Sequence, residues 1–260
     1  MAYKPFDLTG KVALITGGNG GIGLGMADAL AQAGADIVIW GTNAAKNAAA
    51  GTQLQAHGVK VLTQAVDVSD EQAVAGAMAE AVAAMGRIDT VVANAGIIGG
   101  APSFRAYPTD EYRRILAVNL DGAFFTLRAA CGHMVERAQA GDPGGSLIAI
   151  SSLSALDGAA KNQAYAATKG ALIPMIRGIA VEHARYGVRA NVVLPGWIAT
   201  DMTGSVQSSD KFVDNVIGRV PVRRWGAPED FGGVAVYLAS DASSFHTGDS
   251  LLIDGGYAVF

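Results

Sequence analysis

The sequence predicts an α/β fold: a doubly wound parallel sheet with helices on both faces, built as a single domain over residues 1–260. Three observations predict it. Short apolar runs rich in Val and Ile recur along the chain, separated by Ala-rich or amphipathic stretches of helical length. The runs are continuous rather than alternating, which is the pattern of strands covered on both faces. Half of the residues are hydrophobic and only 16% are charged, which suits a large core and not a disordered chain.

Each element follows from this pattern. Residues 11–16 (KVALIT) read as the first strand, followed by a Gly-rich turn and a helix to about residue 33 that Gly34 closes. Strands are expected at 36–40, 59–66, 88–93, 146–151, 188–194 and 250–254. Helices are expected at 43–57, 70–85, 109–139, 162–186 and about 228–240. Parallel neighbours joined through helices are almost always connected with a right-handed crossover, which winds the sheet in both directions. No repeat, low-complexity linker or composition break divides the chain.

Composition narrows the function. The net charge of −4 offers no basic surface for nucleic acid or an anionic membrane. Cys131 is the only cysteine, so no intramolecular disulfide forms, as suits a reducing cytoplasm. Residues 1–10 lack an apolar signal core, and no uninterrupted apolar run is long enough to span a bilayer. His57, His133, His183 and His246 show no metal-ligand spacing, so no metal site is expected. Asp89 is expected to cap or orient the fourth strand, and Arg223 and Arg224 to form salt bridges.

Between the first strand and first helix lies Thr16-Gly17-Gly18-Asn19-Gly20-Gly21-Ile22-Gly23. Glycines in such a turn allow a sharp bend and close approach of the backbone to a pyrophosphate, and the helix N-terminus then presents free N–H groups. Gly17, Gly21 and Gly23 depart from GxGxxG and give the longer TGxxxGxG spacing. Placed in a βαβ unit, the turn reads as a dinucleotide cradle.

A second stretch carries chemistry. Tyr165 and Lys169 are four residues apart, so on a helix they share a face. An ordinary tyrosine titrates near ~10; a nearby ammonium favours the phenolate and lowers that value. Such a pair is suited to proton exchange with an alcohol or carbonyl. Ser152, at the preceding strand end, is placed to hold the same substrate oxygen.

Over nearly its whole length the chain resembles the short-chain dehydrogenase/reductase family. The resemblance rests on TGGNGGIG at 16–23, Asp67, Asn94-Ala95-Gly96, Asn119, Ser152, Tyr165 and Lys169, Pro195-Gly196 with Thr200, and Asp254-Gly255-Gly256. It implies a single Rossmann-type domain with a seven-stranded parallel sheet. It further implies Tyr165 as general acid/base, Ser152 on the substrate oxygen, and Ser151 as a structural neighbour. Lys169 would hold the nicotinamide ribose and depress the Tyr165 pKa, and Asn119 would position a proton-relaying water. The cofactor would lie along Gly17, Asn19, Gly20, Gly21, Ile22 and Gly23. Asp67 and Val68 would stand at the adenine, Asn94, Ala95 and Gly96 near the ribose, and Pro195, Gly196, Ile198 and Thr200 at the carboxamide.

The cofactor expected is NADP, or else NAD. An acid at the end of the second strand would accept the ribose hydroxyls of NAD, but Gly41 stands there. Thr42 and Asn43 are candidates for holding a 2′-phosphate, with Lys46 on the next turn. Residues at about 197–219 read as a substrate lid. Trp197, Met202, Val206 and Phe212 would form one apolar wall, Ser154, Leu156 and Gln163 the facing one, and Ile97 and Ile98 the near side. None of these is charged, so a small neutral alcohol/carbonyl pair is expected. Similar members include 3-oxoacyl-carrier reductases, sugar or polyol dehydrogenases and steroid dehydrogenases, and the family implies a homotetramer. The alternative class is a dinucleotide-sensing regulator, which would need none of Asn119, Ser152, Tyr165 or Lys169.

Overall fold

In a computed structural model, which describes residues 3–260 without the side chains at 211 and 212, the seven strands lie where the apolar runs fall. They are β1 (Val12–Thr16), β2 (Asp36–Gly41), β3 (Val61–Ala65), β4 (Thr90–Ala93), β5 (Gly145–Ile150), β6 (Val188–Pro195) and β7 (Ser250–Ile253). All pairs are parallel, in the order β3-β2-β1-β4-β5-β6-β7. Leu14 stands opposite Val38 on one side and Val91 on the other. The chain winds outward from β1 to β3, then returns to lay β4 beside β1 and winds the other way. The crevice at the C-terminal ends of β1 and β4 is therefore the topological switch point, where open α/β sheets bind ligands.

The helices are α1 (Gly21–Gln32), α2 (Ala44–Gln55), α3 (Glu71–Met85), α4 (Thr109–Leu116), α5 (Gly122–Gln139), α6 (Ser154–Asp157), α7 (Gln163–His183), α8 (Gly204–Gln207), α9 (Asp210–Ile217) and α10 (Gly232–Ala239). Successive strand residues face opposite ways, and both directions are covered. Val12 and Leu14 join Val74, Met78, Leu127, Leu172 and Ile176 beneath α3, α5 and α7. Ala13 and Ile15 join Met26, Leu30, Leu54, Phe231 and Leu238 beneath α1, α2 and α10. Each fully buried Leu or Ile contributes roughly 1.5–3 kcal/mol over its exposed state, which is why the strands read as unbroken apolar runs.

Local signals set the helix ends. The Asn43 side chain accepts from Lys46 N to start α2, and Asp70 accepts from Gln72 N and Ala73 N to start α3. Asp89 accepts from Val12 N at 2.9 Å and is gripped by Arg87 and Arg137, tying the first ends of β1 and β4 together.

Three departures from the expected elements matter. The helical run expected at 109–139 contains a π-helical turn (Ala117–Asp121) between α4 and α5, which periodicity does not reveal. The helix expected at 228–240 is a 3-10 turn (Pro228–Phe231) followed by α10. The run Thr109–Gln139 also holds an 18-residue window of mean hydropathy 1.2, so by length and composition it matches a membrane span. Polar residues interrupt the stretch, so the match is one of average composition and not of an unbroken apolar run. In the fold, Ala123, Leu127, Ala130 and Met134 of this run pack in the core.

Candidate active site

The Gly-rich turn lies at the switch point. Gly17, at φ +61°, donates to Trp40 O at 2.7 Å and lies against Asn94 and Ala95, 3.0 and 3.2 Å from where its Cβ would stand. A Cβ at Gly23 would collide with Gly17 O, so this glycine lets α1 start close beneath the turn. Gly20 is the N-cap of α1, and a Cβ there would meet nothing within 4 Å. The turn thus has open space on its outer side and the free N–H groups of a helix start, which fits a pyrophosphate. Gly21 and Ile22 begin α1, and Thr200 packs its methyl 3.3 Å from a Cβ position on Gly21.

The neighbouring strand end is built by asparagines. Asn19 Nδ2 donates to Asn47 Oδ1 at 2.7 Å, and Asn47 Nδ2 donates to Gly41 O and Gln64 O. Asn43 spends its side-chain oxygen on the α2 cap, which leaves its Nδ2 as the donor a 2′-phosphate would need. Lys46 pairs with Asp201 at 2.8 Å, which joins α2 to the segment after Thr200. Thr42 is exposed beside them.

Asn94 joins β4 to the turn: its backbone N–H, and that of Ala95, donate to Thr16 Oγ1, while Asn94 Nδ2 donates to Thr16 O and Gly17 O. Asp67 is exposed, with one carboxylate oxygen held by Ser69, and Val68 is buried against Gly122. Across the crevice, Leu153 N donates to Pro195 O, and Gly196 is closed over by Asp254, 2.6 Å from where a Cβ would lie. Ile198 bridges to Gly226, and Thr203 Oγ1 donates to Ile198 O, pinning the base of the expected lid.

The four residues the resemblance marks as catalytic converge beside this cradle. The Ser152 and Tyr165 hydroxyls are hydrogen-bonded. Lys169 Nζ donates to Ile150 O at 2.7 Å and stands 5.8 Å from the Tyr165 ring centre. Asn119, in the π-helical turn, accepts from Ile97 N at 2.8 Å and donates to Ile97 O at 2.9 Å. Between them lies Gly96, where a Cβ would stand 3.3 Å from Lys169 Nζ and 3.4 Å from Asn119 Oδ1. Ser151, as expected, is structural in position: its Oγ donates to Lys169 O.

The chain is similar to known proteins over nearly its whole length. The family model described as enoyl-(acyl carrier protein) reductase matches residues 17–258. Gluconate 5-dehydrogenase of Gluconobacter oxydans (strain 621H) is 36% identical over 254 residues, covering 98% of this chain and 97% of that protein. L-rhamnose 1-dehydrogenase (NAD(P)(+)) of Azotobacter vinelandii is 37% identical over 257 residues, covering 97% and 98%. The crystal structure of a gluconate 5-dehydrogenase from Burkholderia cenocepacia J2315 in complex with NADP and tartrate has a TM-score of 0.92 and 37% identity, with 98% of each chain covered. The chain belongs to the short-chain dehydrogenase/reductase family.

As a short-chain dehydrogenase/reductase it has the Rossmann-type fold, and it is an oxidoreductase of CH–OH groups. A nicotinamide dinucleotide supplies the hydride in such chemistry, and the protein's part is orientation and proton exchange. The electrostatics here differ from the expectation in one respect. Burial raises the Tyr165 pKa, and the Ser152 hydrogen bond opposes that rise. Lys169 was expected to lower it, yet its ammonium is engaged with Ile150 O, 5.8 Å from the ring centre, while its own burial brings it down to about 8. Desolvation therefore outweighs the lysine's charge at the tyrosine.

Trp197 stacks edge-on against Trp225 and Tyr257, 6.1 and 6.5 Å between ring centres, so its ring belongs to an aromatic cluster with the C-terminal segment. Ile98, Leu156 and Met202 are exposed, and the Phe212 side chain lies outside the described residues. Among the described residues no group of three or more His, Cys, Asp or Glu could hold a metal. Cys131 is buried and its thiol is pushed up to about 11, which leaves it inert. Sequence reasoning missed Asn47 and the carbonyl of Ile150, which act through partners distant in sequence. Thr16 is legible as the head of the TGxxxGxG turn, but its bonds to Asn94 and Ala95 are not.

Proposed function

We propose that this short-chain dehydrogenase/reductase interconverts a small neutral secondary alcohol and its ketone, with NADP as the preferred dinucleotide. Tyr165 exchanges the proton with the substrate oxygen, Ser152 holds that oxygen, and Lys169 and Asn119 position and recharge the pair. The observation that carries this is the Ser152–Tyr165 hydrogen bond, with buried Lys169 one helical turn on and the glycine cradle alongside. A dinucleotide sensor needs no such pair. The preference for NADP is supported by Gly41, which puts no carboxylate where a 2′-phosphate would arrive, and by the NADP-bound relative. NAD is the alternative.

A neutral substrate is supported by the uncharged side chains of Ser154, Leu156, Gln163 and Met202. The relatives named for gluconate and L-rhamnose support testing sugars and sugar acids first. The family description keeps acyl thioesters as a second reading. Exposed apolar side chains, among them Val181, Phe245, Val259 and Phe260, support a homotetramer. The lone cysteine supports a cytoplasmic location.

Oxidation of NADPH and NADH against a panel of ketones, ketoses, keto acids and an acyl thioester tests the reading, with Tyr165→Phe as control. Turnover of charged acids alone removes the neutral substrate. A clear preference for NADH removes NADP, and light scattering that shows a monomer removes the tetramer.

A further inference from the structure

The segment from Asn94 to Ala101 leaves β4 without regular structure and passes beside Lys169 and Asn119. Such backbone has no ladder or helix of its own, so other partners must hold its N–H and C=O groups. Its first half is tied twice. Asn94 N and Ala95 N donate to Thr16 Oγ1, and both backbone groups of Ile97 bond to Asn119. Its far end is tied at Ala101, whose N–H donates to Lys161 O at 3.0 Å. Gly99 and Gly100 lie between these ties, and two glycines in succession make that stretch the most pliable part.

One helix face meets it. Glu111, Ile115 and Asn119 are spaced by four, so they form a stripe along the run from α4 into the π-helical turn. All three reach the segment. Asn119 holds Ile97, and the Ile115 Cδ1 lies 2.7 Å from where a Cβ on Gly99 would stand. That same Cβ would collide with Glu111 Oε1, so the carboxylate fits against this backbone only because residue 99 has no side chain. The carboxylate is itself oriented, because Arg114 Nε and Nη2 donate to its two oxygens at 2.8 Å each. A planar fork of this kind fixes geometry as well as charge. The Arg114 hydrogen bonds hold the Glu111 pKa below the usual carboxylate range, and the Gly100 N–H adds to the same effect.

We propose that Glu111 is a positioning residue for the reaction: its carboxylate, steered by Arg114, braces the Gly99–Gly100 backbone and so sets where Gly96 and Ile97 stand beside Lys169 and Asn119. The proposal rests on the alcohol/ketone reading above. Asn119 alone fixes the segment at Ile97, but a glycine pair left unbraced two residues further on lets that point tilt. A Cβ on Gly96 would stand 3.3 Å from Lys169 Nζ, so a small movement there is felt at the lysine. Displacing reacting groups by about 1 Å can cost on the order of a hundredfold in rate. Glu111 exerts its effect through this backbone, as a support for the groups that react.

The test measures kcat, KM and thermal melts for Glu111→Ala, Glu111→Gln and Gly99→Ala, with saturating dinucleotide and the best substrate of the panel above. Glu111→Ala is expected to lower kcat by about tenfold. Its melting temperature should fall by no more than about 4 °C, because the ion pair with Arg114 is largely exposed. A residue that only stabilised the fold would leave the kcat of folded enzyme unchanged. Glu111→Gln keeps an acceptor oxygen of the same reach and should stay within about threefold of wild type. Gly99→Ala puts a methyl where the carboxylate sits and should slow turnover by about tenfold, yet by no more than about threefold once Glu111 is already alanine. A kcat within about twofold of wild type in either Glu111→Ala or Gly99→Ala overturns the positioning role and leaves the reaction assignment standing. So does a Glu111→Gln variant as slow as Glu111→Ala. Absence of turnover with every alcohol and ketone, or full activity in Tyr165→Phe, overturns the reaction assignment and the role of Glu111 with it.

Discussion

Asn19 Nδ2 donates to Asn47 Oδ1 at 2.7 Å across the space that a side chain at residue 41 would occupy. A Cβ on Gly41 would stand 2.6 Å from Asn47 Oδ1 and collide with the Asn19 amide. Asn47 is 3% exposed, and its nitrogen is spent on Gly41 O and Gln64 O, so it cannot turn aside without losing those bonds. The missing acid at the end of β2 is thus a packing constraint as well as a cofactor signal. Gly41→Ala should destabilise the fold by about 1–3 kcal/mol and weaken binding of both dinucleotides. Gly41→Asp should fail to produce an NAD enzyme. Urea titration and fluorescence titration with NADH and NADPH check this; a Gly41→Asp variant that binds NADH normally would refute it.

The tyrosine makes a pH prediction. Burial raises its pKa and the Ser152 hydrogen bond holds part of that rise back. Alcohol oxidation needs the ionised form as base, so its kcat/KM should climb through the alkaline range. Ser152→Ala removes the restraining bond and should move that limb to still higher pH. Tyr165→Phe should cost about a hundredfold to ten-thousandfold. A limb that stays in place in Ser152→Ala would show that the hydrogen bond does not set the tyrosine's proton affinity.

Lys169 links the site to stability. Burial brings its pKa from 10.5 to about 8, so the charged form is disfavoured in the fold relative to the unfolded chain. Below pH 8 both states hold the proton and the penalty, of the order of 3 kcal/mol, is present in full. Between about 8 and 10.5 the unfolded chain holds more protons, so stability rises with pH there. Lys169→Met escapes the penalty but leaves Ile150 O without its donor. Relative to wild type its stability should therefore fall as pH rises from 7 to 10. Urea midpoints at three pH values, without added dinucleotide, decide it; a difference that does not change with pH would count against it.

Asn119 is buried and satisfies both backbone groups of Ile97. Asn119→Ala strands a buried N–H and a buried carbonyl and should cost about 2–4 kcal/mol. The loop carrying Gly96 would then loosen beside Lys169, so activity should fall further than stability alone explains. Melting temperature and kcat measured together test this. A variant with wild-type melting would remove the structural role given to the side chain.

The sites of all seven strands, the glycine cradle and the Ser152–Tyr165–Lys169 spacing were legible because they are local. A buried strand writes its exposure into consecutive residues, and a helix writes its face into a spacing of four. The same logic explains what was illegible. A π-helical turn at 117–121 changes no residue type that periodicity weighs, and the stacking of Trp197 on Trp225 and Tyr257 joins segments far apart in the sequence.

The chain's sequence by itself determined a parallel α/β sheet, a dinucleotide-type turn and a tyrosine–lysine pair with its serine. Tertiary structure alone decided how that pair titrates and what surrounds it. Lys169 is neutralised toward pH 8 by burial and held by Ile150 O, nineteen positions away in the chain. Gly41 is kept bare by Asn19, which comes from a different turn. Desolvation and hydrogen-bond partners depend on which distant segments the fold brings together, and no window of consecutive residues contains that information.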